Sequence, residues 1–221
     1  MLSWIAICPW FAPGASGRTS EPANADRLRA VAEKMKTAFE ALQDYTCEVE
    51  QVYYKNGVED HRYYFKYYFQ KEKKIRIDFS YPQTGVIISY TAAEEKATVV
   101  PFRSLPALKF RLSIDSPFIQ TFTGQRITQT DIGYFAEFLF RNLPGSQVSE
   151  WNEEPEQVSF GLLALDYLKG KSMEKYRIFI SKKNWFPDRI ERLTLRGEPI
   201  EVSIIRNYLL NPGLDDAFFR P

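Results

Sequence analysis

The sequence predicts an α+β domain, a large antiparallel sheet that curls and carries helices on its concave face. Three observations support this. Strand-type alternation of apolar and polar residues recurs in both halves of the chain with short turns between the runs, so neighbouring strands pair antiparallel. Two segments show helical periodicity instead. The implied sheet, of about nine or more strands, is large enough to curl or close on itself. Composition agrees with this. The 221 residues are 44% apolar and 15% aromatic, with 17 Phe and 13 Tyr. Such residues suit pleated, half-buried surfaces, and the length supports a full core without disulfides or metals.

Taken in order, 26–44 is the first helix. Leu28, Val31, Met35, Phe39 and Leu42 recur at spacings of three and four, and Asp26 is placed to cap it. Strands follow at 45–54 and 62–70, joined through Asn56-Gly57, a pair that accepts the positive φ of a tight hairpin. In the second of these strands Tyr63, Phe65, Tyr67 and Phe69 share one face. The run 74–80 alternates again, with Ile75, Ile77 and Phe79 opposite Lys74, Arg76 and Asp78. Further strands are expected at 86–90 and 97–102.

The middle of the chain is less regular. Residues 104–123 are broken by Pro106 and Pro117 and carry Leu112, Ile114 and Phe118. A second helix, 131–142 with Thr130 as its cap, bears Ile132, Phe135, Phe138 and Leu139 and is apolar around most of its circumference. Two readings stand side by side. These apolar residues either roof a ligand cavity above the curled sheet or complete a solid core. Strands at 157–167, 175–182, 188–195 and 200–208 finish the domain.

Composition excludes several chemistries. Lys and Arg number 29 against 28 Asp and Glu, so no global field steers nucleic acid, and no nucleic-acid partner is expected. One histidine, His61, and two cysteines, Cys8 and Cys47, are too few for a Cys/His zinc cluster, and no metal or cofactor is expected. No glycine-rich nucleotide loop is present. The acidic pairs Glu153-Glu154 and Asp215-Asp216 read as solvated loop charges, and no nucleophile stands beside a base. The chain is therefore expected not to be an enzyme.

At the N-terminus, the mostly apolar run from Leu2 to Ala12 is too short to span a bilayer and is followed by small residues. Residues 1–25 are read as a cleaved signal peptide or loose leader, which places the protein in the periplasm, and 26–221 as one domain.

The run Lys74-Ile75-Arg76-Ile77-Asp78-Phe79-Ser80-Tyr81-Pro82, followed by an Ile-rich strand and Val99-Val100-Pro101, resembles the strand-and-turn signature of the LolA-like family of periplasmic lipoprotein carriers. So do Phe186-Pro187-Asp188-Arg189-Ile190, Gly197, Asn207-Tyr208 and the closing Asn211-Pro212-Gly213-Leu214-Asp215-Asp216-Ala217-Phe218. The segment Leu112–Pro117 is closer to uncharacterised exported relatives of that fold.

The resemblance implies an incomplete β-barrel with a helical lid. Its apolar cavity would hold acyl chains of a lipid or lipoprotein, passed between membrane-bound donor and acceptor proteins. It also implies that Arg76 fastens the lid. The alternative use of the same fold is a non-enzymatic envelope regulator or scaffold that binds a protein partner. Cavity or lid candidates are Leu112, Ile114, Phe118, Ile132, Phe135, Phe138 and Leu139.

Overall fold

A computed structural model describes residues 21–144, 147–165 and 173–221. The leader assigned to 1–25 lies largely outside these residues. Its last part does not, because the first helix, α1, already runs at Glu21 and extends to Glu40. Asp26 therefore sits inside the helix rather than capping it. Asn24, within the same first turns, is buried and donates from Nδ2 to the carbonyl of Val148 at 3.4 Å.

One half of the sheet is β1 (Asp44–Lys55), β2 (Val58–Gln70), β3 (Lys74–Tyr81), β4 (Ile87–Thr91), β5 (Lys96–Val100) and β6 (Phe110–Ser113). After the second helix, α2 (Ile132–Asn142), come β7 (Gln147–Glu153), β8 (Gln157–Leu165), β9 (Met173–Ser181), β10 (Pro187–Leu193) and β11 (Pro199–Leu210). All eleven belong to one antiparallel sheet in the order β6-β5-β4-β3-β2-β1-β11-β10-β9-β8-β7. Each half is a meander, and the β1–β11 pairing joins the first strand to the last. The sheet stays open between β6 and β7, so the architecture is an incomplete, curved barrel with helices, of the α+β class.

Local chemistry explains the register. Asn56 and Gly57 both adopt positive φ, 54° and 76°, and close the β1–β2 hairpin over the Lys55–Val58 pair. The alternation then runs through the ladder. Cys47 lies opposite Tyr67, Tyr67 opposite Ile77 and Ile77 opposite Ile88, so these side chains form one inward row. Arg76 falls in the row of opposite parity, between Tyr68 and Ser89, on the convex face.

The core sits between the concave face and the two helices. Leu28, Ala32 and Met35 of α1 are fully buried there, with Phe138 and Leu139 of α2. The helices approach closely at Gly133, where a Cβ would overlap the Phe39 ring. The N-cap of α2 is Asp131, whose Oδ1 accepts from the Tyr134 N–H at 2.9 Å. Thr130, expected in that place, instead donates to the Ile127 carbonyl at 2.7 Å and lies 3.1 Å from the Tyr67 hydroxyl.

Candidate functional site

A cavity of about 650 Å³ lies between the concave face of the sheet, α2 and the segment that precedes it. That is the size of a site for a small organic ligand. Each wall has a different origin. The floor comes from inward positions of neighbouring strands, among them Cys47, Val49, Phe65 and Phe79 on one side and Ile190 and Ile205 on the other. The roof is the α2 face that carries Ile132, Phe135 and Phe138, spaced three residues apart. The front is the segment from Pro117 to Gln125, in which a 3₁₀ turn at Pro117–Ile119 is capped by Ser116.

The expected apolar residues divide into two groups. Phe118, Ile132, Phe135 and Phe138 line the cavity. Phe118 does so at its mouth, where it remains 86% exposed. Leu112, Ile114 and Leu139 do not line it. Leu139 is fully buried in the closed core, one position round the helix from Phe138. Leu112 is on β6, opposite Ala97, and with Ile114 packs against the edge of the core.

Arg76 is also placed differently from the role the resemblance implies. Its polar partners are Asp78, with Nε to Oδ1 at 2.7 Å, and the Phe218 carbonyl, at 2.7 Å from Nη1. It therefore holds the C-terminal turn to the outside of the sheet and makes no polar contact with α2. The cause is the parity of β3. Ile75, Ile77 and Phe79 take the concave face, so Arg76 and Asp78 take the other.

The two ends of the cavity differ in chemistry. Beneath α2, Tyr45 and Tyr67 are buried side by side with their rings stacked, centroids 6.0 Å apart. The Tyr45 hydroxyl accepts from the Ile132 N–H at 3.3 Å. Burial raises both phenols well above their ordinary pKa, so they are neutral hydrogen-bonding groups. Asp131 is buried beside them, and burial raises its pKa too. Its Oδ2 has no hydrogen bond and faces the Lys73 ammonium at 3.6 Å.

At the other end an ion network crosses three strands. Arg192 on β10 holds Glu174 of β9, with Nη2 to Oε2 at 2.9 Å, and Glu201 of β11, with Nη1 to Oε2 at 3.1 Å. Glu201 also accepts from Gln51 at 2.7 Å and from Thr123 of the front segment at 3.0 Å. Burial disfavours the charged Arg192, but the Glu201 and Glu174 carboxylates outweigh it and raise its pKa.

Sequence reading missed this network because its members are distant in the chain and only the register joins them. A usable signal was present. Arg192 shares parity with Ile190, and Glu201 with Ile205, so charged residues occupy positions that point inward.

No family model matches the chain, and no curated protein matches it. Solved structures do. An uncharacterized conserved protein from Thermus thermophilus aligns over 88% of this chain and 93% of its own, at 11% identity and a TM-score of 0.54. The Mycobacterium tuberculosis lipoprotein LppX aligns over 89% and 99%, at 12% identity and a TM-score of 0.50. A LolA superfamily protein from Nitrosomonas europaea aligns over 87% and 96%, at 14% identity and a TM-score of 0.40. Identities this low speak for the fold alone, and the fold of this chain is the one it shares with the Thermus thermophilus protein and LppX.

Proposed function

We propose that the protein is a non-enzymatic carrier of the bacterial envelope that takes the acyl chains of a lipid or lipoprotein into its cavity and releases them to an acceptor. The observation that carries this reading is the cavity itself. It is about 650 Å³, floored by the sheet and roofed by the apolar face of α2, with an almost fully exposed phenylalanine, Phe118, at its mouth. Burying an acyl chain there removes apolar surface from water, worth about 0.8 kcal/mol per methylene. An exposed aromatic at an opening is a place where a chain can enter before it is enclosed. The segment from Pro117 to Gln125 and α2 together form the lid, and transfer follows from a difference in affinity between its closed and open arrangements.

The test is organic extraction of the protein purified from envelope fractions, followed by mass spectrometry of the extract. Stoichiometric acylated material supports the carrier. A lipid-free protein that captures no acyl ligand in vitro contradicts it.

A further inference from the structure

The charges around the cavity restrict what can end there. Among the described residues that line it, three bear formal charge: Asp131, Arg192 and Glu201. The cation is already committed, because Arg192 is held by both Glu174 and Glu201. Lys73, the cation near Asp131, is half exposed and does not line the cavity. The remaining polar lining is neutral and includes the amides of Gln51, Gln120 and Gln125 and the hydroxyls of Thr121 and Ser203.

A carboxylate or phosphate brought into this space meets two carboxylates and no uncommitted cation among the lining residues. It also leaves its own hydration behind. An ester, amide or hydroxyl loses much less water and finds donors and acceptors already in place.

We infer that the cavity selects acyl ligands with an uncharged polar end and discriminates against free fatty acids and phosphate-headed lipids. This inference rests on the carrier reading and narrows it to a ligand class.

The experiment is displacement of a pyrene-labelled monoacylglycerol from the delipidated protein by monoolein, oleate and oleoyl lysophosphatidate. All three carry the same chain, are used below their micelle concentrations, and are compared at neutral pH. Monoolein is expected to bind at least about tenfold more tightly than either anion, the scale of placing a like charge near a buried carboxylate. Equal affinities, or a preference for oleate, would overturn the inference and leave the carrier reading standing. Failure of every probe to bind would overturn the carrier reading itself.

Glu201→Gln supplies the second arm. Removing one carboxylate from Arg192 should narrow the gap between monoolein and oleate to a few-fold. An unchanged ratio in a folded variant would overturn the assignment to these charges. If the variant does not fold, the wild-type series decides alone.

Discussion

Arg76 Nη1 donates to the Phe218 carbonyl at 2.7 Å, and its guanidinium lies 4.2 Å from the centre of the Phe218 ring. Together these contacts seat the C-terminal turn, Asp216–Phe219, on the convex side of β3 and β4, where Ser89 donates to the Phe219 carbonyl. The Phe219 side chain is buried as a result. Lys74 and Asp216 add an ion pair at 2.6 Å on the same side.

Arg76→Leu is therefore expected to loosen the C-terminus and not the lid. A charged hydrogen bond of a buried group is worth about 1.5–3 kcal/mol. Urea unfolding should register a loss of that order, and amide exchange should show faster exchange from Asp215 to Phe219. Affinity for an acyl probe should stay within about twofold. A change in probe release with an unchanged C-terminus would restore the lid-fastening role.

Phe135 and Leu139 separate function from stability within one helix. Phe135 faces the cavity and is only partly buried, while Leu139 is enclosed in the core. Leu139→Ala is expected to cost about 2–5 kcal/mol, with little effect on the affinity of the folded protein. Phe135→Ala should cost less than the ~3–5 kcal/mol of a closed-core phenylalanine and weaken acyl binding about fivefold or more. Denaturant unfolding and probe titration on the two variants give both numbers. Equal stability costs with unaltered affinity in both would mean that α2 is plain core.

Asp131 gives a pH test. Burial raises its carboxyl pKa above the ordinary 3.8. A raised acid contributes stability below the unfolded-state pKa and loses it as pH rises through the folded value. Asp131→Asn keeps the oxygen that caps Tyr134 N–H but carries no charge. Its stability relative to wild type should therefore increase between about pH 3 and pH 7. Thermal melts across that range measure it, and a relative stability that falls with rising pH would show that the Lys73 ion pair outweighs burial.

Cys47 reports on occupancy. The thiol lines the cavity, and burial pushes it well above its ordinary range. In a Cys8→Ser chain, maleimide modification should keep accelerating through about pH 9, where an ordinary thiol, pKa near 8.5, begins to level off. Bound acyl ligand should slow it by about tenfold or more, since the chain covers the same wall. Modification that is fast at neutral pH and indifferent to ligand would place Cys47 outside the ligand's path.

The sheet was legible wherever alternation was long and one-sided. β2 and β3 carry aromatic and aliphatic residues at every second position; β3 appears within one residue of its expected bounds, and β2 ends at Gln70 as expected but begins four residues earlier, at Val58. The edge strands were not legible. β6 has only four residues and follows a proline-broken stretch. β7 has Val148 and Trp151 as its apolar residues, and its register shifts between Ser149 and Asn152, with Glu150 at positive φ. That irregularity moves Trp151 out of the parity of Val148 and erases the period of two.

For the cavity, helix periodicity put Ile132, Phe135 and Phe138 together because they are close in sequence, and left open whether they roof a cavity or close a core. It could not find the floor. Cys47, Tyr67 and Ile190 belong to three different strands and meet only through the strand order, which brings β11 beside β1. Arg76 shows the opposite limit. Alternation fixed its side relative to Ile75 and Ile77, and only the packed helices decide which side is concave.

If an acyl chain occupies the space between α2 and the floor of the sheet, a bulky side chain on that floor must displace it. Equilibrium titration of the delipidated protein with a pyrene-labelled monoacylglycerol, comparing wild type with Val49→Trp, measures this. Val49 is a partly buried floor residue, and tryptophan there projects into the cavity. The expected result is saturable one-to-one binding by wild type and a loss of at least about tenfold in a variant that still unfolds cooperatively. Undiminished binding by the folded variant, or no saturable binding by wild type, would contradict an acyl chain in that space.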